Sequence, residues 1–489
     1  MKKNTIALIA CTVALLAAGG GYAALMLTDG GDESSSASSE AVSMDESSVP
    51  VSLLDFEKSD IESVTVKNSS GEYTGIPDGE PAEDGTVTFT IKGFEKFDIN
   101  TTLTSSLLNS SAALNSDSTA EENPADLEKY GLKSPLAEVR VKAGSGEKTI
   151  LVGNESPVKG ETYCMEKDGD SVYLAATSSL SVFLNDAEKY ISTTLLEKPA
   201  DDAMPTVEEI KIERPDLDYD IVLKYDDSTD DENTTSGTLA THYMTEPVFA
   251  YLDVEKSQDA TQGLFGLSAQ SVMIVSPSDD EIAASGLDKP LCTVTMKTDE
   301  PKEYTLKIGS KLEVGGSSCY LVMFNDNDII YAVDSENLCW ATLQPGDITS
   351  RMVFGTYVWD IGKLDISVDG GEKVSFEGSG TSQDDYKVTK NGKGCDSERF
   401  RSFYTFLLKT SAEEFVIDEE PSGDPVVSIS LETQDGKTKQ TIDFYKADGK
   451  KALISVNGTP CFKCRMAYVD LLIDNLSKFD TDEEFVMNW

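Results

Sequence analysis

Tyr130-Gly131-Leu132-Lys133-Ser134-Pro135-Leu136 returns in altered form as Ser285-Gly286-Leu287-Asp288-Lys289-Pro290-Leu291. These two Gly-Leu-x-x-Pro stretches decide how the chain is read. A glycine after a helical turn takes positive φ and ends the turn, and the proline that follows blocks helix continuation and begins an extended run. The motif therefore needs no ligand to explain it. Each copy is followed by a β-patterned run, a second glycine (Gly153, then Gly309) and a tyrosine in a strand-like segment (Tyr173, then Tyr331), with a separation that barely drifts. A repeated architecture is the expectation.

Working outward, each unit opens on alternating apolar residues. Residues 61–66 and 86–91 read as strands in the first unit, 207–212 and 220–225 in the second, and 361–368 in the third. Helices are expected at residues 102–114, 260–271 and 397–411, the last with Phe400, Phe403, Tyr404 and Leu407 spaced for one face. Beyond the motif, residues 137–142 and 148–153 form a hairpin. Residues 161–165 and 171–175 form another about Asp168-Gly169-Asp170, and residues 319–322 and 329–333 match it about Asn325-Asp326-Asn327-Asp328. Short helices are expected at 178–184 and 335–343, and a closing helix at 468–476. In the third unit Gly423-Asp424-Pro425-Val426-Val427 stands where the motif belongs, a degraded copy. The expected fold is α+β and β-rich, with mostly antiparallel sheets and short helices in three tandem units: residues 51–199, 200–355 and 356–489.

The N-terminus sets the compartment. Lys2 and Lys3 precede an apolar run over residues 5–27, and acidic residues Asp29, Asp32 and Glu33 follow. About 23 apolar residues span a hydrocarbon core as a helix, and the charge asymmetry leaves the N-terminus cytoplasmic and the bulk extracytoplasmic. Residues 1–28 are read as a signal anchor, a single-pass transmembrane helix. Cleavage after Ala23 and lipidation at Cys11 are the competing fates. Residues 29–50 are Ser-rich and acidic with hardly an apolar anchor, and read as a disordered tether.

Of 489 residues, 41 are Lys or Arg and 87 are Asp or Glu, a formal charge of −46. Such a surface repels phosphate backbones, so no nucleic acid is expected among the partners. The single histidine, His242, rules out zinc sites built on several histidines and leaves one candidate imidazole base. Seven cysteines lie beyond the membrane segment, an odd number and too few for a disulfide scaffold, and several stand where apolar residues would serve. Cys461-Phe462-Lys463-Cys464 is the sharpest chemical candidate. At a strand-to-helix junction such a pair can act in thiol-disulfide exchange, the helix N-terminus lowering one thiol pKa. Within a strand, however, residues three apart face opposite sides of the sheet, too far apart to bridge. The acidic run over residues 226–232 lacks the glycine and the closing glutamate of a calcium-binding loop. No phosphate-cradling loop or nucleophile elbow occurs.

The anchor, the motifs at Gly131 and Gly286 and the glycine and tyrosine that follow them resemble the bacterial domain-of-unknown-function family 4340, over essentially the whole exported part. The resemblance implies a membrane-tethered envelope protein linked to ABC-transporter permeases and gliding-type auxiliary components, with no catalytic residues to carry over. The expectation is a non-enzymatic extracytoplasmic interaction or accessory protein without cofactor, metal site or catalytic residue, and with an envelope or transporter protein as partner. The alternatives are a thiol-disulfide oxidoreductase using Cys461 and Cys464, or a protein that binds cell wall or a small ligand.

Overall fold

Val64 and Val66 alternate with Thr65 and Lys67. In the computed structural model, which describes residues 51–82, 86–226, 241–300, 302–382, 384–410 and 412–489, the valines are fully buried and their neighbours reach solvent. The same alternation builds a large sheet three times.

The first block contains β1 (Val51–Asp55), β2 (Ile61–Asn68), β3 (Gly71–Pro77), β4 (Phe89–Ile91), helix α1 (Thr101–Ala112), β5 (Ala113–Ser116), β6 (Ser118–Glu122), β7 (Ala137–Ala143), β8 (Gly146–Glu155), β9 (Glu161–Glu166), β10 (Ser171–Ala176) and α2 (Thr177–Leu180). The second contains β11 (Val207–Glu213), β12 (Ile221–Tyr225), β13 (His242–Glu246), β14 (Ala250–Tyr251), α3 (Val254–Gln262), β15 (Ser271–Val275), α4 (Asp279–Ala284), β16 (Cys292–Thr298), β17 (Glu303–Val314), β18 (Ser317–Phe324), β19 (Ile329–Asp334) and α5 (Pro345–Ile348). The third contains β20 (Ile361–Val368), β21 (Val374–Ser379), β22 (Lys387–Lys390), β23 (Lys393–Gly394), α6 (Ser397–Leu408), β24 (Glu414–Phe415), β25 (Val427–Thr433), β26 (Lys439–Ala447), β27 (Lys451–Val456), β28 (Thr459–Arg465) and α7 (Met466–Ser477).

The sheets run β4-β3-β2-β7-β8-β9-β10-β6, β14-β13-β12-β11-β16-β17-β18-β19-β15 and β23-β22-β21-β20-β25-β26-β27-β28-β24. In each, the block's first long strand pairs with the strand after the motif position, as β2 does with β7, β11 with β16 and β20 with β25, all antiparallel. A strand following the main helix, β6, β15 or β24, crosses to the far edge and pairs with the last strand of the meander. The fold is thus β-rich and antiparallel with short helices, as the alternation predicts.

A small extra pairing recurs where the chain enters a block. Strand β1 pairs with β5, setting Val51 opposite Ser116 and Ser52 opposite Asn115. In the second block Thr194 pairs with Ser268, and the Ala269 amide donates to the Thr193 carbonyl at 2.7 Å. In the third, the Arg351 guanidinium donates to the Ala412 carbonyl at 3.3 Å. Each entry segment therefore lies on the stretch that follows its own block's main helix.

The Gly-Leu-x-x-Pro motif covers the outer face of the sheet. Gly131 ends a 3₁₀ turn at φ 73, and Gly286 sits just past α4 at φ 71. Leu132 then buries with Tyr130, Met165 and Val172, and Leu287 with Met273, Leu321 and Ile330. The second glycine is explained by the same contact. A Cβ on Gly153 would lie 2.2 Å from the Tyr130 carbonyl oxygen, and one on Gly309 would lie 2.3 Å from that of Ser285.

Three elements differ from the periodicity, the first being residues 335–343, which form two short 3₁₀ turns, Ser335–Asn337 and Cys339–Ala341, in place of a helix. The second block's helix runs over Val254–Gln262 and not over residues 260–271. Asp253 caps its start, accepting from the Lys256 amide, and at its end the Trp340 indole donates to the Ala260 carbonyl at 3.0 Å, occupying an acceptor that a further turn needs. The strand expected over residues 86–91 shortens to Phe89–Ile91. Among the described residues no helix is long and apolar enough to cross a membrane. The run over residues 5–27 and the tether before Val51 lie outside the described residues, as do residues 227–232 of the acidic run.

Candidate functional site

Cys461 and Cys464 lie on β28, two strands from β26, directly before α7. Both are buried, at 0% and 1% exposure, and both are unpaired. The β27–β28 ladder shifts register between Ile454 and Ser455, opposite Cys461. Simple alternation is broken there, and both thiols join one apolar cluster with Phe462 and Tyr468. The Cys461 thiol donates to the Ile454 carbonyl at 3.6 Å. Burial pushes both thiols up to about 12, the opposite of what a redox pair at a helix N-terminus requires.

His242 begins β13 and is 3% exposed. Its Nε2 lies 2.7 Å from the Val207 carbonyl, which only accepts, so Nε2 carries the proton. Nδ1 then accepts from the Thr241 hydroxyl at 3.0 Å. Both ring nitrogens are used, and burial lowers the imidazole pKa. This is a histidine built into the sheet.

Periodicity did not single out Arg214. It is 8% exposed, with Nε and Nη2 donating to Asp216 at 3.0 and 2.6 Å and Nη1 donating to the Leu343 carbonyl at 2.6 Å. It ties the loop after β11 to the approach to α5. The Arg-Pro-Asp spacing at residues 214–216 is the local signal for the fork, but nothing in sequence marks Leu343 as its third partner.

A cavity of about 250 Å³ opens where α3 stops short, lined by Asp259, Gly263, Phe265, Leu267, Glu336 and Cys339 among others. Its acidic walls and the C-terminal end of α3 favour positive charge. Cys339 there is neutral, its thiol pushed up to about 12 by burial and by Asp259. Trp340, buried at 1%, stands beside it against Gly263. Among the described residues, no group of three or more His, Cys, Asp or Glu side chains stands close enough to hold a metal ion.

No curated protein and no solved structure matched the chain. A family model described as a domain of unknown function, DUF4340, matched residues 90–272 and again residues 243–426. The two matches start at corresponding places, the short strand before the main helix of the first block and β13 before that of the second. They cover more than half of the sequence and run through both Gly-Leu-x-x-Pro motifs. The chain belongs to the DUF4340 family.

Proposed function

We propose that this protein is a non-enzymatic, membrane-anchored extracytoplasmic interaction or accessory subunit of an envelope complex, of the ABC-transporter type. The observation that carries the reading is how its chemically able side chains are spent. His242 bonds through both nitrogens within the sheet, Cys461 and Cys464 are buried neutral thiols, and Arg214 is held by the Asp216 carboxylate and the Leu343 carbonyl. Three broad sheets held by side chains so committed offer surface more than chemistry. The apolar run over residues 5–27 supports the anchor, and the −46 charge supports a soluble exterior that avoids nucleic acid.

The test is purification of the full-length chain from its native membrane in mild detergent. Stoichiometric recovery of a membrane permease or another envelope protein, lost on high-salt washing or on truncation of the folded part, is the expected result. A chain that elutes alone and reduces a model disulfide substrate through Cys461 would overturn it in favour of the oxidoreductase reading.

A further inference from the structure

Two seams join the three sheets, alike in backbone and unlike in side chains. At the first, the Ser192 amide donates to the Asp98 carbonyl and the Asn100 amide to the Tyr190 carbonyl, both at 2.8 Å, around the Ile99–Ile191 bridge. At the second, the Ser350 amide donates to Tyr251 at 2.7 Å and the Asp253 amide to Ile348 at 2.9 Å, around the Leu252–Thr349 bridge. The four amides are equivalent pairs, since Asn100 and Asp253 cap α1 and α3.

Around the second seam the side chains close a continuous core. Val353 and Phe354 are buried, and the Tyr251 ring lies so close to Gly355 that a Cβ there would sit 2.6 Å from it. The Tyr404 hydroxyl donates to the Thr356 carbonyl at 2.7 Å, and the Gln440 amide reaches Val353 at 3.4 Å. The main apolar residues of the second and third sheets belong to one cluster that runs from Ile191 to Phe479. At the first seam the apolar cluster ends. Tyr190 packs in the core of the first sheet and Ile191, its neighbour, in the core of the other two. Half-buried Phe94 touches both clusters, and next to it Lys96 pairs with Asp328 at 2.6 Å in the open, with side chains 57% and 61% exposed.

We propose that the first sheet with its helix is a separate cooperative body that disengages from the remainder at the Tyr190–Ile191 peptide, whereas the second and third sheets open only together. Exposed ion pairs contribute little, and a two-strand bridge whose shared apolar burial is limited to half-buried Phe94 and Phe97 is weaker than a continuous core, so the first seam is the low-stability joint. A partner that grips the first sheet alone would then be able to turn it against the fused pair.

Residue-resolved hydrogen exchange on the full chain compares the two seams directly. The Ser192 amide, whose bond to Asp98 crosses the break, is expected to exchange at least about tenfold faster than its counterpart at Ser350. Equal protection at the two seams overturns the proposal. Gly355→Leu drives a side chain into the Tyr251 ring and is expected to bring Ser350 up to the rate of the first seam. Unchanged protection in that variant would overturn the apolar cause. Should the variant fail to fold, the comparison within the unaltered chain decides alone.

Discussion

Gly153 and Gly309 carry no side chain because another residue's carbonyl oxygen occupies the place where one would begin. Gly153→Ala or Gly309→Ala forces backbone against backbone at 2.2 or 2.3 Å, and a loss of about 2–3 kcal/mol is expected in denaturant titration. Gly144→Ala, which meets nothing within 4 Å, should stay within about 0.5 kcal/mol. The thiols give a second test at this scale. With a disulfide-exchange reagent at neutral pH, Cys461 and Cys464 should remain unmodified until the chain unfolds, while half-buried Cys395 reacts first. His242 supplies a pH dependence with a definite sign. Its folded pKa lies below the ordinary 6.5, so both states are neutral above that value and the unfolded state takes the proton first as pH falls. Stability should therefore decline as pH drops through about 6.5, and the lone imidazole resonance should titrate below that value in the folded chain. A resonance titrating at or above 6.5 would mean that the ring is not buried as described. The chemistry of these residues was only partly legible in sequence. A lone histidine and a Cys-x-x-Cys are visible by eye, but the register shift opposite Cys461, which breaks the expected alternation of faces, depends on how β27 and β28 meet.

At the scale of elements, strands were easier to read than helices. Period-two alternation in β2, β7, β11, β16 and β20 survives because one face of each is fully buried. Helix α3 was misplaced because its sequence, Val254-Glu-Lys-Ser-Gln-Asp-Ala-Thr-Gln262, has few apolar residues to mark a face, and its ends are set by tertiary partners. Asp253 starts it and Trp340, from far along the chain, stops it. Asp253→Ala should cost about 1 kcal/mol through the lost cap. Trp340→Phe should cost more than the missing hydrogen bond alone, roughly 1–3 kcal/mol, since the Ala260 carbonyl is left buried beside the cavity. Helix content by circular dichroism that fails to change in either variant would show that these contacts do not hold the helix. The cavity itself was invisible in sequence for the same reason, since it exists because a helix stops early.

For the whole molecule, the repeat was legible from two heptapeptides, whereas the sharing of cores was not. Nothing in the sequence around Tyr190-Ile191 says that adjacent residues anchor in different clusters, and nothing around Val353-Phe354 says that theirs is common to two sheets. The charge is a property of the whole chain and has its own consequence. With 87 acidic against 41 basic side chains, the compact state repels itself, and added monovalent salt up to a few tenths molar should raise the melting temperature. A fall on adding salt would mean that the surface ion pairs outweigh the repulsion.

The entry pairings carry one more meaning. In the first block the chain arrives on the residues just after α1, at Ser116, and departs beside the residue just before it, at Ile99. The second block repeats the arrangement about α3, at Ser268 and Leu252. The points of arrival and departure of each of these two blocks thus flank one helix, and not the edges of its sheet. In the first block those points are separated by the 12 residues of α1, about 18 Å of helix, so the helix bridges the places where the chain comes in and goes out.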